Sequence, residues 1–190
     1  MAQHLSTPRR IRTPPAVQFS ETPYPSPNYT APPAHPPHEQ LGVCFHHSCM
    51  SWADTIAHML RPESQVSYHV LIATDGVRAR LVADEHIAWH AGASNFLGRT
   101  RCNDFLLGVS FAGNTRLTPL TEAQIASALD WLAPRWFARG WTPAVMTDHR
   151  QIAPGRKDDL FPAEWMRLLA AIRARFGYES PPSPPATTTQ

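Results

Sequence analysis

Residues 147–162 read T-D-H-R-Q-I-A-P-G-R-K-D-D-L-F-P, which puts His149, Lys157, Asp158 and Asp159 within eleven positions. This stretch restricts the fold more than any other, because a rigid element must deliver the histidine and a turn must return the carboxylates to it. The apolar run at 143–146 predicts a short buried strand with His149 at its end. Pro154-Gly155 then turns the chain and brings Lys157 and the Asp pair back beside the imidazole. An imidazole and a carboxylate are good zinc ligands, and a third ligand has to come from elsewhere in the chain. A neighbouring lysine is a ready cation for a developing oxyanion. One His and one Asp in a loop are usually only solvated, so the remainder of the chain decides.

A length of 190 residues suits one domain with appendages. The net charge of +2 is spread along the chain, which excludes a nucleic-acid footprint. No apolar run approaches the roughly 20 residues of a membrane span. Arg9, Arg10 and Arg12 are followed by Pro-rich polar sequence, not by the apolar core of a signal peptide, so the expected location is cytoplasmic. Three cysteines without C-x-x-C spacing argue against a disulfide scaffold or a Cys-rich zinc site. Cys44, Cys49 and Cys102 are read as free thiols, with Cys44 in a buried strand.

Ten of the 20 prolines fall in residues 1–40, a segment with little apolar periodicity. It reads as a flexible arm, of which 25–40 packs on the domain. The domain itself covers 41–178, and 179–190 is a disordered tail. Strands are expected at 41–45, 66–72, 77–82 and 105–111, the middle two joined as a hairpin through Thr74-Asp75-Gly76. Ser51 and Asp54 open a short helix that Pro62 stops. Thr121 to Gln124 spells a capping box for a longer helix with a bend at Pro134, and a last helix covers about 163–176 with Gly177 as its cap. The pattern predicts an α/β fold, a central mixed sheet with helices packed on it. Of the ten histidines, His4, His35 and His38 read as solvated in the arm, His58 and His86 as ordinary surface residues, and His69 as a core residue. His46 differs, because like His149 it ends a buried strand.

V-C-F-H-H-S, V-S-Y-H-V-L-I, A-W-H-A-G, R-C-N-D-F, G-V-S-F-A-G-N and H-R-Q-I-A-P-G-R-K-D-D follow one another in the chain. Together, over about residues 25–175, they resemble the zinc-dependent N-acetylmuramoyl-L-alanine amidases of the AmpD and peptidoglycan-recognition-protein superfamily, which includes amidase-type phage lysozymes. The resemblance implies a Zn2+ ion held by His46, His149 and Asp159, with Lys157 beside it. It leaves Asp158 facing solvent and puts Leu160 where AmpD proteins usually carry Pro. AmpD-type enzymes place a catalytic Glu where this chain has Ser110. The recognition-protein branch combines Ser there with Tyr at the position of Tyr68, so the chain is a hybrid of the two branches.

On this resemblance the expected activity is hydrolysis of the amide between N-acetylmuramic acid and L-alanine, in peptidoglycan or in muropeptides. Tyr68 and Lys157 are the expected catalytic residues. Arg101, Arg156, Trp89 and His47 are the expected substrate-facing residues, with a surface role as the alternative for either arginine and a wall role for Trp89. A monomer with a peptidoglycan or muropeptide partner is expected. The roles within that reading are cytosolic recycling and release as an endolysin. The rival is a peptidoglycan-binding module without catalysis.

Overall fold

A computed structural model describes residues 19–31 and 37–177. His4, His35, the start of the arm and the tail expected at 179–190 lie outside the described residues. In chain order the strands are β1 (Glu21–Pro23), β2 (Tyr29–Thr30), β3 (Gly42–His47), β4 (Val70–Ile72), β5 (Arg78–Arg80), β6 (Ile87–Ala88), β7 (Asn95–Phe96), β8 (Arg99–Thr100), β9 (Leu106–Phe111) and β10 (Met146–Asp148). The helices are α1 (Trp52–Met59), α2 (Glu122–Arg139), α3 (His149–Ile152) and α4 (Pro162–Phe176).

One mixed sheet runs in the order β1-β5-β4-β9-β3-β10. Its four central and far-edge strands, β4, β9, β3 and β10, are mutually parallel, while β5 is antiparallel to β4 and parallel to β1. Side chains alternate across the strands, and the two faces have different fates. Val43 and Phe45 of β3 and Leu107, Val109 and Phe111 of β9 pack against Trp131, Leu132 and Trp136 of α2 and Trp165, Leu168 and Ile172 of α4. The opposite face carries Cys44, His46, Gly108 and Ser110, covered by α1, α3 and loops. The apolar pattern therefore assigns the long helices to one side and leaves the other for the site.

Local signals fix the helix ends as the sequence suggests. Ser51 caps α1 by accepting the Asp54 N–H. Thr121 and Gln124 cap α2 reciprocally, the Gln124 N–H donating to Thr121 Oγ1 and the Thr121 N–H to Gln124 Oε1. The α2 helix continues through Pro134 to Arg139, and Gly140 and Gly177 close α2 and α4 in the left-handed region. One expected strand moves. Residues 143–145 form a 3-10 turn, and the strand before His149 is Met146–Asp148. His69 precedes β4 by one residue and is buried, its Nε2 donating to the His86 carbonyl and its Nδ1 accepting the Gly108 N–H.

The boundary of the arm also moves. Residues 21–23, expected in a flexible arm, form the β1 edge strand, and Glu21 pairs with Arg78. Ser26 and Asn28 are each 2% exposed. Ser26 Oγ donates to the Met59 carbonyl, and Asn28 Nδ2 donates to the Met59 and Arg61 carbonyls and to Ser64 Oγ. His38, read as solvated, is buried, with Nε2 donating to the Asn103 carbonyl and Nδ1 accepting the Gln40 N–H. Hydrogen bonds, with Tyr24 packed on the apolar cluster around Leu71 and Leu81, tie this segment down, so apolar periodicity gave no sign of the β1 strand.

Asn28→Ala removes the three hydrogen bonds that its buried carboxamide donates, a loss of about 1–3 kcal/mol. At about 2–4 °C per kcal/mol for a domain of this size, thermal unfolding should show a fall of several degrees. An unchanged midpoint would mean that the segment is not structural.

Candidate metal centre

Register and topology bring the distant histidines together. β3 and β10 are parallel neighbours with Phe45 opposite Asp148, so the next residues along, His46 and His149, stand level. Ser110 of β9 is opposite His46 on the other side. Asp148 caps α3 by accepting the Gln151 N–H, which sets the direction in which the chain leaves the strand after His149. The loop that follows returns Asp159 to the same point, with the Arg150 N–H bonded to the Asp159 carbonyl at 2.7 Å. Parallel strand ends are the usual place for such a site in an α/β sheet.

His46 Nδ1, His149 Nδ1 and Asp159 Oδ2 form a small triangle. The edges are 3.0 Å between the two nitrogens, 3.2 Å from His46 to Asp159 and 3.3 Å from His149 to Asp159. All three residues are buried, and these atoms are a possible metal-ligand group. Neighbouring donors in a tetrahedral zinc site with bonds of about 2.0–2.1 Å stand about 3.3 Å apart. The other ring nitrogen of His149 faces the Ala91 carbonyl at 3.1 Å. A carbonyl only accepts, so His149 Nε2 carries the proton and Nδ1 is a bare lone pair. That lone pair and an anionic carboxylate oxygen meet with no proton between them, an arrangement a cation relieves. The donor set fits a divalent metal.

The electrostatics agree with this. Burial, followed by the neighbouring His149, pushes His46 down to about 4. Burial, reinforced by Asp159, raises the Tyr68 phenol above its ordinary value. Tyr68 therefore keeps its O–H, and its ring lies 5.1 Å from that of His46. Ser110 Oγ is sealed beside Tyr68 at a geometry short of a formed hydrogen bond.

A cleft of about 290 Å³ opens on the triangle, lined among others by His47, Cys49, Tyr68, Lys157 and Asp158. His47 Nδ1 accepts from the Thr115 hydroxyl at 2.7 Å and from the Thr115 N–H. Asp158 is exposed and pairs with Arg116, which keeps it off the donor triangle. Three other residues singled out in the sequence are not among those lining the cleft. Arg101 is exposed and pairs with Asp104. Trp89 donates its indole N–H to Thr30 Oγ1 on β2. Arg156 lays its guanidinium on the Ala91 and Ala93 carbonyls, at 2.6 and 2.7 Å. Sequence reasoning passed over His90 and Asn103. Both belong to the quoted motifs A-W-H-A-G and R-C-N-D-F, which was the available signal.

An α/β domain with a buried His-His-Asp donor set at parallel strand ends defines the class. Within it, the N-acetylmuramoyl-L-alanine amidase family Amidase_2 matches residues 36–163, and the chain belongs to that family. AmpD of Salmonella typhimurium, a 1,6-anhydro-N-acetylmuramyl-L-alanine amidase, is 39% identical over 123 residues, 62% of this chain and 60% of that protein. The N-acetylmuramoyl-L-alanine amidase AmiD of Escherichia coli is 37% identical over 125 residues, 56% of this chain and 44% of that protein. The chain thus spans less than two thirds of the length of these relatives. A crystal structure of AmpD matches with a TM-score of 0.62 at 30% identity, covering 83% of this chain and 93% of that one. AmiD from Escherichia coli, solved with the substrate anhydro-N-acetylmuramic acid-L-Ala-D-gamma-Glu-L-Lys, matches with a TM-score of 0.60 at 27% identity, covering 75% of this chain and 60% of that one. Among the described residues no helix is long and apolar enough to cross a membrane.

Behind the site, burial pushes His69 down to about 3. The folded value lies below the unfolded one, so the unfolded chain takes the proton first. This stabilisation is complete above about pH 6.5 and is lost as pH falls towards 3. Urea unfolding between pH 7 and 4 should lose stability less steeply in His69→Gln, by up to about 1.4 kcal/mol per pH unit. Parallel slopes would contradict the assignment.

Proposed function

We propose that the protein is a zinc-dependent amidase that cleaves the bond between N-acetylmuramic acid and L-alanine. The observation that carries this is the convergence of His46 Nδ1, His149 Nδ1 and Asp159 Oδ2 at the base of an open cleft. Three protein donors and an accessible fourth position are the mark of a catalytic rather than a structural zinc site. All three donors come from one chain, so a monomer is sufficient. A zinc ion held by these three residues would supply Lewis-acid activation of water and of the amide carbonyl near neutral pH.

The residues around the donors have separable tasks. Tyr68 keeps its phenolic proton and donates a hydrogen bond to the oxygen that becomes negative as the carbonyl carbon turns tetrahedral. Lys157, on the exposed rim of the cleft, adds positive charge on the same side. His47 has its Nδ1 occupied by Thr115, so its Nε2–H is the group offered to the substrate. In the net reaction a water oxygen joins the lactyl carbonyl carbon and the carbon–nitrogen bond breaks. The alanine nitrogen leaves with a proton from that water. The relatives' names, and the AmiD complex above, favour a 1,6-anhydro-muropeptide over intact wall as substrate.

Arg101 and Arg156 are placed less directly. Arg156 is committed to two backbone carbonyls and supports the loop at 91–93. Arg101 and Trp89 stand outside the cleft lining, where a long glycopeptide could reach them but the scissile amide could not. Ser110 supports the second reading, a muropeptide-binding module, because no carboxylate replaces the Glu expected there.

Metal analysis should find one zinc per chain, lost in His46→Ala and in Asp159→Ala and kept in His47→Ala. Zinc retained by both of the first two variants would remove the site. Incubation with soluble anhydro-muropeptide and with intact sacculi, followed by mass spectrometry, should show release of the peptide from the soluble substrate. Tyr68→Phe should lower kcat by about 10²–10³, the effect of losing one oxyanion donor, at unchanged zinc content. No turnover by the parent would favour the binding module, and equal rates would exclude Tyr68 from catalysis.

A further inference from the structure

The metal-site reading needs a bare lone pair on His46 Nδ1, and an imidazole in isolation does not choose which nitrogen carries its proton. For His149 the Ala91 carbonyl decides, as described above. For His46 the partner of Nε2 is not a carbonyl but another ring, His90 Nδ1, at 3.0 Å. A contact between two neutral imidazoles can run in either direction. The direction is set one residue further along, where His90 Nε2 lies 2.9 Å from the Leu106 carbonyl. A carbonyl accepts only, so His90 Nε2 holds the proton and His90 Nδ1 is the acceptor. His46 must then donate from Nε2, and its Nδ1 is left as a lone pair facing His149 and Asp159.

We infer that His90 is a positioning residue that fixes His46 in the Nε2–H tautomer. The inference rests on the metal site proposed above. Ligating histidines generally have their second nitrogen held in this way by an outer partner, and here the partner is itself oriented by the backbone of β9.

Three further features show that His90 is built into its place. It is buried, touching the cleft at its floor, and its ring crosses that of His46 edge-on at 5.1 Å. Gly108 makes the room for it, since a Cβ at position 108 would meet the His90 ring at 2.6 Å. Asn103 Oδ1 accepts the N–H groups of both His90 and Ala91, at 3.1 and 2.7 Å. One carboxamide thus holds two consecutive residues, one of which sets the tautomer of His46 and the other that of His149. Arg156 fastens the Ala91 carbonyl from the other side. The A-W-H-A-G and R-C-N-D-F motifs thereby have a physical purpose that direct substrate contact does not account for.

The direct test is long-range proton–nitrogen NMR of the imidazoles in the full-length chain, recorded before and after zinc is added. His46 should carry its proton on Nε2 in both states. A proton on Nδ1 of His46 in the metal-free chain, or an even mixture of tautomers, would overturn the proposal. In the second arm, zinc affinity is measured by chelator competition. His90→Leu should bind zinc about 10–100-fold more weakly, whereas His90→Asn, whose side-chain oxygen can still accept from His46 Nε2, should recover most of the loss. Equal affinity in His90→Leu and the parent would also overturn it. If His90→Leu does not fold, the tautomer in the parent decides alone. A parent that binds no zinc would remove the metal site, and the tautomer, read without metal, keeps the two failures apart.

Discussion

Two imidazole nitrogens and a carboxylate oxygen face one another at 3.0–3.3 Å in the interior of this protein. Electron-rich atoms do not remain so close without a proton or a cation between them, and the outer partner of each ring has already claimed the available proton. The surrounding architecture follows from holding this arrangement. β3 supplies one ring and the end of β10 another, at the same level of a parallel sheet. The loop after α3 returns the carboxylate, and Leu160 anchors that loop by burying itself in the main core beside Asp159.

The division of the sheet into two faces makes such a site affordable. The large aromatic and aliphatic side chains gather under α2 and α4, where burial at about 25 cal/mol per Å² of apolar surface stabilises the fold. The other face can then carry polar groups, provided each has a partner. His38, His69 and His90 meet that condition through backbone carbonyls and amides. Ser110 is an exception, buried without a formed hydrogen bond in the position where the resemblance leads one to expect a carboxylate.

Much of this was legible in the sequence, and the misses share a cause. Apolar periodicity and capping residues identified α1, α2, α4, the hairpin and the two long central strands. The collinear motifs pointed to His46, His149 and Asp159, which no periodicity argument could have joined across 103 and 113 positions. What escaped is held by hydrogen bonds to the backbone. β1 and His38 looked like solvated arm because their order owes little to apolar periodicity, whereas the packing of 25–29 on the domain was expected without its hydrogen-bond partners. Arg156 looked like a substrate contact, but its partners are the Ala91 and Ala93 carbonyls, and a carbonyl has no letter in a sequence. His90 was visible only as a letter in a motif, and its function appears once Leu106 O and His46 are seen on either side of it.

His46, His149 and Asp159 offer a metal ion two imidazole nitrogens and one carboxylate oxygen. A second buried group, Cys44 with His46 and His90, offers a competing set that includes sulfur. X-ray absorption of the zinc-loaded protein separates them. The account predicts a first shell of nitrogen and oxygen at about 2.0–2.1 Å with two imidazole contributions, and a sulfur neighbour at about 2.3 Å would contradict it.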